Sequence, residues 1–179
     1  WVRAAKGHDV DPASLNYRTG DRYLTSVKAR SNQQIVFLDA SGRSYSLPAH
    51  TLPSARGQGE PLSGRLQSPP EVRFVAVIAA ENSQKVLLSN TAGYGFVTTF
   101  DNLLAKNKAG KALFNLPEDA ELLPPMVVPD KADLQLAVAA GDGRLLVFAV
   151  GEVPELNKGK GVRLINIPSA RFTAGQEWL

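Results

Sequence analysis

The chain has 179 residues, which is enough for one domain or a short run of repeats around a hydrophobic core. It contains no cysteine, so disulfides, thiolate metal sites and cysteine nucleophiles are excluded, and no apolar run approaches the roughly 20 residues that span a bilayer. Its net charge of +3 and pI near 9.3 are too mild to indicate nucleic acid by themselves. Because the first residues include neither Met nor an apolar signal segment, we expect a soluble fragment of a longer protein.

Short apolar runs bounded by turn residues predict strands along most of the chain. The first such run starts at Tyr23 and covers 23–28. Three later runs each lead through a glycine turn into a second run, and glycine supplies the positive φ that tight hairpins need. These paired runs lie at 34–38 and 42–47, at 85–88 and 93–98, and at 134–138 and 143–148. Helical periodicity is nearly absent apart from one turn expected at 101–106, and 12 prolines argue against long helices.

Glycines inside small basic loops recur at a fixed spacing. Gly59, Gly110 and Gly161 are separated by 51 residues each, and a weaker relative, Gly20, lies 39 residues before the first. A period of about 50 residues with about four short strands per unit is typical of propeller-like blades. We therefore expect one all-β domain over 1–179, built as an open arc of 51-residue repeats. The repeats are assigned to 1–41 (partial), 42–92, 93–142 and 143–179 (partial).

Motifs for catalysis or metal binding are weak in this sequence. Asp9 and Asp11 have the spacing of a metal-binding acidic pair, but no third carboxylate or phosphate loop accompanies them, which favours a solvated turn. His8 and His50 are the only histidines, which argues against a multi-histidine metal site. Tyr23 is interpreted as an aromatic residue of its strand and not as a nucleophile. We predict no catalytic residue, no metal site and no cofactor in this fragment.

Lysine and arginine gather in the loops that carry the repeating glycines. No acid lies in 106–111 or 158–163, whereas acids gather at 118–121 and 130–133. One such loop alone would be a solvated turn, but basic loops recurring in phase favour phosphate binding, and the alternative is a propeller-like interaction module that docks an acidic protein. The residues expected to contact DNA, called the ten candidate cations, are Arg56, Lys106, Lys108, Lys111, Lys158, Lys160 and Arg163, with Arg18, Lys6 and Arg3 as a weaker extension.

Four stretches together resemble the C-terminal domains of the A subunits of bacterial topoisomerase IV. They are Trp-Val-Arg-Ala-Ala-Lys-Gly-His-Asp at 1–9, the run at 52–62, Ala-Gly-Tyr-Gly-Phe-Val at 92–97 and Lys-Gly-Lys-Gly at 158–161. The resemblance covers essentially the whole chain. The paralogous gyrase A domain carries a Gln-Arg-Arg-Gly-Gly-Lys-Gly box, and its absence here favours topoisomerase IV over gyrase.

The resemblance implies a broken β-pinwheel whose blades exchange strands with their neighbours. It also implies a non-catalytic role, in which the domain binds the double-stranded DNA to be transported and steers decatenation and supercoil relaxation during chromosome segregation. The parent enzyme would be a type IIA topoisomerase that needs ATP and magnesium, with its catalytic tyrosine in another domain. Implied partners are the rest of the A subunit, the ATPase B subunit, and in some bacteria a chromosome condensin, in the cytoplasm at the nucleoid and without a membrane.

Overall fold

The computed structural model describes residues 1–7 and 9–179, and the described chain is mostly β. Its helices are α1 (Phe100–Leu103), which confirms the helical turn expected at this place, and α2 (Ser169–Thr173), with short 3-10 turns between strands. Its strands are β1 (Gln34–Asp39), β2 (Arg43–Pro48), β3 (Phe74–Ile78), β4 (Lys85–Ser89), β5 (Tyr94–Thr99), β6 (Lys111–Ala112), β7 (Met126–Val127), β8 (Gln135–Ala139), β9 (Leu145–Ala149) and β10 (Val162–Arg163). No helix in the described ranges combines the length and apolarity needed to cross a membrane.

The strands form two four-stranded antiparallel sheets and a separate hairpin. Sheet 1 has the order β3-β1-β2-β6, sheet 2 has the order β10-β5-β4-β7, and sheet 3 contains β8 and β9. In the central hairpins Val36 pairs with Ser46 and Leu87 pairs with Val97. These hairpins confirm the paired apolar runs and their glycine turns, and the strand orders show open sheets, as expected for an arc of blades.

Each four-stranded sheet is completed by strands from further along the chain. β6 pairs with β2 through Lys111 and Ser44, and β10 pairs with β5 through Val162 and Gly95. At the opposite edges, β3 pairs with β1 and β7 pairs with β4. Because hydrogen bonding continues from one repeat into the next, the blades exchange strands, and each sheet contains residues from both sides of an expected repeat boundary.

The hydrophobic core consists of three clusters, of which two join neighbouring sheets and the third packs on sheet 1 alone. The largest cluster links sheets 1 and 2 and includes Val36, Leu88, Phe96 and Phe100. Within it, the rings of Phe96 and Phe114 meet edge to face with centroids 5.1 Å apart. β1 is buried at consecutive positions and therefore has protein on both of its faces, whereas β8 alternates buried and exposed residues.

A buried carboxylate holds the turn of the first hairpin. Asp39 is fully buried, and its Oδ1 accepts the N–H of Arg43 at 3.1 Å while its Oδ2 accepts the hydroxyl of Tyr45 at 3.0 Å. Burial, followed by the hydrogen bond and the charge of Asp39, raises the pKa of Tyr45 to about 12. In the next repeat Asn90 stands in the place of Asp39 and Phe96 in the place of Tyr45, so the second turn keeps its side-chain cap without the hydroxyl.

The strand predicted at 23–28 is wrong. This segment has no strand assignment, and the side chains of Tyr23 and Leu24 are 46% and 68% exposed. The strand β3, one 51-residue repeat later, is paired with β1, but no strand among the described residues pairs with 23–28. An extended segment becomes a strand only when a neighbour accepts its backbone hydrogen bonds, and that neighbour is what the segment lacks.

Sheet 3 has two strands, whereas about four were expected in each full repeat. The outer edge of β9 has no strand beside it in the described part of the chain, although the corresponding edges of β2 and β5 are covered by β6 and β10. Three consecutive apolar residues of β9 are exposed, with Leu145 at 66%, Leu146 at 45% and Val147 at 53%. Sheet 3 is therefore an incomplete blade with an apolar edge.

Candidate nucleic-acid interface

The three repeating glycines occupy equivalent places, where each basic loop meets the backbone of an earlier segment of the chain. All three have positive φ, at 89° for Gly59, 73° for Gly110 and 78° for Gly161. A Cβ atom at Gly59 would lie 2.6 Å from the carbonyl oxygen of Val2, and one at Gly110 would lie 2.6 Å from that of Ser44. The same atom at Gly161 would collide with the backbone of Gly95. Since only glycine fits both the φ and the space, the loops are held at matching positions, which confirms the equivalence expected from their spacing.

The loop at 106–111 presents two exposed lysines and withdraws a third. Lys106 and Lys108 are exposed, and the loop between them is shaped by Asn107, whose side chain accepts the N–H of Ala109 at 3.1 Å. Lys111 is half-buried, and its ammonium donates to the carbonyl of Asn102 at 2.7 Å, at the end of α1. Lys111 is therefore held by a hydrogen bond within the protein, whereas Lys106 and Lys108 are exposed to solvent.

The loop at 158–163 builds a cluster around Tyr94, the first residue of β5. Lys160 lies with its Nζ 4.1 Å from the centroid of the Tyr94 ring. Arg163 donates from Nε to the Tyr94 hydroxyl at 3.2 Å, and from Nη1 to Asn166 Oδ1 at 3.0 Å. The hydrogen bond from Arg163 holds the pKa of Tyr94 below its usual value, and Lys160 acts in the same direction. Lys158 is exposed beside this cluster.

The N-terminal candidates fall into two groups. Arg56 and Lys6 are exposed. Arg3 is half-buried and donates to the carbonyls of Asn16 at 2.6 Å and Gly57 at 3.0 Å. Arg18 is exposed and stacks with its guanidinium 4.2 Å from the ring centroid of Trp1. Arg3 therefore fixes the loop that carries Arg56, while the other three candidates face solvent.

Ion pairing separates the candidate cations from most other basic residues. Among the described residues, none of the ten candidates lies within 4.0 Å of a carboxylate, the distance that defines a salt bridge. Seven other cations do form salt bridges with Asp or Glu, namely Lys28, Arg30, Arg65, Arg73, Lys85, Arg144 and Arg171. The fold thus neutralises seven of the ten cations outside the candidate set and leaves the candidates without an acidic partner among the described residues.

The position that follows each hairpin glycine was not among the residues expected from the sequence. It is occupied by Arg43, Tyr94 and Arg144 in successive repeats. Arg43 donates from Nη1 to the carbonyls at residues 109 and 110, at 3.1 and 3.2 Å, and so holds the basic loop of the next repeat. Arg144 instead pairs with Asp142 at 2.8 Å and with the buried Glu177. Aligning the hairpin glycines, Gly42, Gly93 and Gly143, would have revealed the position, although not its contacts.

The acidic residues that were weighed as a metal site have separate structural contacts. Asp9 pairs with Lys28 at 2.8 Å, and Asp11 accepts the N–H of Ala13 at 2.9 Å, where it caps a 3-10 turn. His8 lies outside the described residues. Among the residues that are described, no group of three or more His, Cys, Asp or Glu side chains is placed to hold a metal ion.

Comparison with known proteins gives consistent matches. A family model described as the DNA gyrase C-terminal domain, beta-propeller, matches residues 84–129 and 136–169. The chain is 51% identical over 179 residues to the A subunit of DNA topoisomerase 4 from Escherichia coli strain K12, which is 100% of this chain and 24% of that protein. The chain therefore spans about a quarter of the length of that curated relative.

Solved structures agree with these matches. The structure described as the E. coli ParC C-terminal domain has a TM-score of 0.91 and 51% identity, covering 100% of this chain and 73% of that chain. A DNA gyrase A C-terminal domain has a TM-score of 0.66 at 13% identity, covering 99% of this chain and 55% of that one. The second likeness concerns the fold alone.

Proposed function

This chain belongs to the family of C-terminal domains of topoisomerase IV A subunits, and from that premise we propose that it binds double-stranded DNA through the ten candidate cations. The observation that carries the proposal is the absence of ion pairs at these cations among the described residues, while seven other lysines and arginines are neutralised by acids. Cations that a fold leaves without carboxylates are available to neutralise phosphates and release condensed counterions.

The candidates contribute unequally in this proposal. The exposed side chains have the reach to contact phosphates directly, and they are Arg56, Lys106, Lys108, Lys158, Lys160, Arg163, Arg18 and Lys6. Lys111 and Arg3 are half-buried and already donate to backbone carbonyls, so their part is to add charge and to hold the loops in place. Loops of Lys, Gly and Asn lack a pattern of donors and acceptors suited to base edges, so we expect little sequence preference.

We further propose that the domain acts as the non-catalytic DNA-binding part of a type IIA topoisomerase. It would bind the transported DNA segment and so steer decatenation and supercoil relaxation during chromosome segregation. ATP, magnesium and the catalytic tyrosine would then belong to the ATPase B subunit or to the rest of the A subunit. A chromosome condensin is a further proposed partner, and the bacterial nucleoid is the proposed location.

The DNA-binding proposal is tested by removing the two exposed lysines of one loop. We expect Lys106→Ala with Lys108→Ala to weaken binding to duplex DNA of any sequence. Each lysine that meets a phosphate contributes about −0.9 to the slope of log K against log salt, so the slope should flatten by about two. Fluorescence anisotropy with a labelled linear duplex across a salt series measures both quantities.

The matched control removes two lysines outside the basic loops, Lys28→Ala with Lys131→Ala. It changes the net charge by the same amount, but Lys28 is paired with Asp9 and Lys131 lies outside the repeating loops. We expect a much smaller loss of affinity and little change in slope. If the control pair lost affinity while the loop pair bound like the wild type, the loops would not be the DNA site, and docking of an acidic protein would become the better explanation for them.

A further inference from the structure

The position after the hairpin glycine has a different chemistry in each repeat. Arg43 donates from Nη1 to two loop carbonyls, and Arg144 is neutralised by Asp142 and Glu177. Tyr94 is the member of this set whose contacts are to cations, namely Lys160 and Arg163. The second hairpin therefore concentrates two positive charges around a neutral hydroxyl at this position.

The donors of this cluster exceed its acceptors. The Tyr94 oxygen already accepts from Arg163 Nε at 3.2 Å, so its own O–H is left to donate. Within the described part of the chain, that O–H and Arg163 Nη2 have no hydrogen-bond acceptor, and the Lys160 ammonium has no partner other than the ring and hydroxyl of Tyr94. No carboxylate of the described residues forms a salt bridge with Lys160 or Arg163. Three donor groups that carry two positive charges and have no acceptor outside their own cluster match an oxyanion.

We propose that Tyr94, Lys160 and Arg163 form an oxyanion subsite in which the Tyr94 hydroxyl donates directly to a phosphate oxygen. Identification of the ligand as a backbone phosphate of duplex DNA rests on the proposed function. Arg163 orients the phenol by donating to its oxygen, and Asn166 holds the guanidinium in place at 3.0 Å. Because all three groups act as donors towards the ligand, the subsite suits phosphate oxygens and not base edges, which mix donors with acceptors.

Removing the hydroxyl alone distinguishes this role from charge attraction. Tyr94→Phe keeps the ring beneath Lys160 and deletes one neutral donor. We expect duplex affinity to fall about 3- to 10-fold, the size of one net hydrogen bond, with the slope of log K against log salt unchanged. Lys160→Ala should instead flatten that slope by about 0.9, because it removes a charge.

Tyr23→Phe is the matched control. Tyr23 is 46% exposed, and its hydroxyl bonds the side chain of Ser26 at 2.8 Å. We expect this variant to bind DNA like the wild type. Thermal unfolding of both phenylalanine variants verifies that they remain folded. Tyr94→Phe binding with wild-type affinity would overturn the proposal, and so would a loss of affinity accompanied by a flatter slope.

A second measurement separates the subsite from DNA binding as such. The 13Cζ resonance of Tyr94 is followed by NMR while inorganic phosphate, and separately duplex DNA, is added to the wild-type chain. We expect saturable shifts with both ligands, and a weaker response to phosphate in Lys160→Ala. If duplex DNA failed to bind at any salt concentration while phosphate shifted Tyr94, the proposed function would fall and the subsite would stand. An unchanged resonance with both ligands would overturn the subsite.

Discussion

Asp39 and Tyr45 form a buried hydrogen bond at the first hairpin, where the second hairpin has Asn90 and Phe96. Asp39 Oδ2 accepts a hydrogen bond from the hydroxyl of Tyr45, whereas the N–H groups of the turn donate to the other carboxylate oxygen. A buried acceptor that loses its donor costs about 1–3 kcal/mol. The hydroxyl of Tyr45 thus stabilises the first hairpin, and the second hairpin has no equivalent hydroxyl.

We expect Tyr45→Phe to lower the free energy of unfolding by about 1–3 kcal/mol at neutral pH. The raised pKa of Tyr45, about 12 against the ordinary 10.0, means that the folded protein holds this proton more tightly than the unfolded chain does. Its contribution is therefore fully present below pH 10 and is lost as the pH rises from 10 to about 12. Urea unfolding across that window should show a steeper loss for the wild type than for the variant. Equal pH dependence in the two proteins would contradict this account.

At the scale of elements, the contact between the basic loop at 106–111 and sheet 1 depends on glycine. Gly110 combines a φ of 73° with a Cβ position 2.6 Å from the carbonyl oxygen of Ser44. Just beyond it, β6 pairs with β2, so any shift of the loop also pulls on a strand of sheet 1. The element that presents Lys106 and Lys108 is thereby coupled to the stability of its neighbour.

We expect Gly110→Ala to destabilise the domain by about 1–3 kcal/mol, because alanine is strained at this φ and collides with backbone. Gly57→Ala is the matched control, since Gly57 has no positive φ and an added methyl carbon there would meet no atom within 4 Å. We expect the control to change stability by no more than about 0.5 kcal/mol. Thermal and urea unfolding measure both variants. Similar losses in the two would show that the close approach to Ser44 is unimportant.

At the scale of the whole molecule, the described chain is an arc with one complete side and one open side. The central hairpins of sheets 1 and 2 have a further strand paired at each edge, whereas β9 offers unpaired backbone groups and three exposed apolar residues. Edges of this kind are templates for pairing with another chain unless charge or proline protects them. The open side is therefore where this chain is prone to associate with itself.

We expect the wild-type chain to self-associate as its concentration rises, and Leu146→Lys to reduce this by placing a charge on the edge strand. Leu24→Lys is the control, because Leu24 is exposed to 68% but lies outside any strand. Sedimentation velocity over a concentration series compares the three proteins. A control that suppressed association as well as Leu146→Lys does would point to net charge and not to the edge.

Much of the fold was predictable from local sequence, because apolar runs and hairpin glycines reflect contacts only a few residues apart. The prediction of a strand at 23–28 was wrong for the opposite reason. The apolar pattern of this segment resembles that of β3, but a strand also needs a pairing partner that is distant in the sequence. Among the candidate cations, Lys111 shares its loop and phase with Lys106, yet only the structure reveals its bond to Asn102. The cluster around Tyr94 was hidden because its cations lie 66 and 69 residues further along the chain.

The exchange of strands also determines the order in which the sheets are completed during synthesis. Ser44 pairs with Lys111 and Gly95 pairs with Val162, so each sheet acquires its last strand 67 residues after the position that receives it. During synthesis, the first hairpin is made well before the residues that complete its sheet, and such distant pairing delays folding. Each newly made blade finishes the one before it. A nascent chain therefore orders each of these basic loops in the same step that adds the last strand to the preceding sheet.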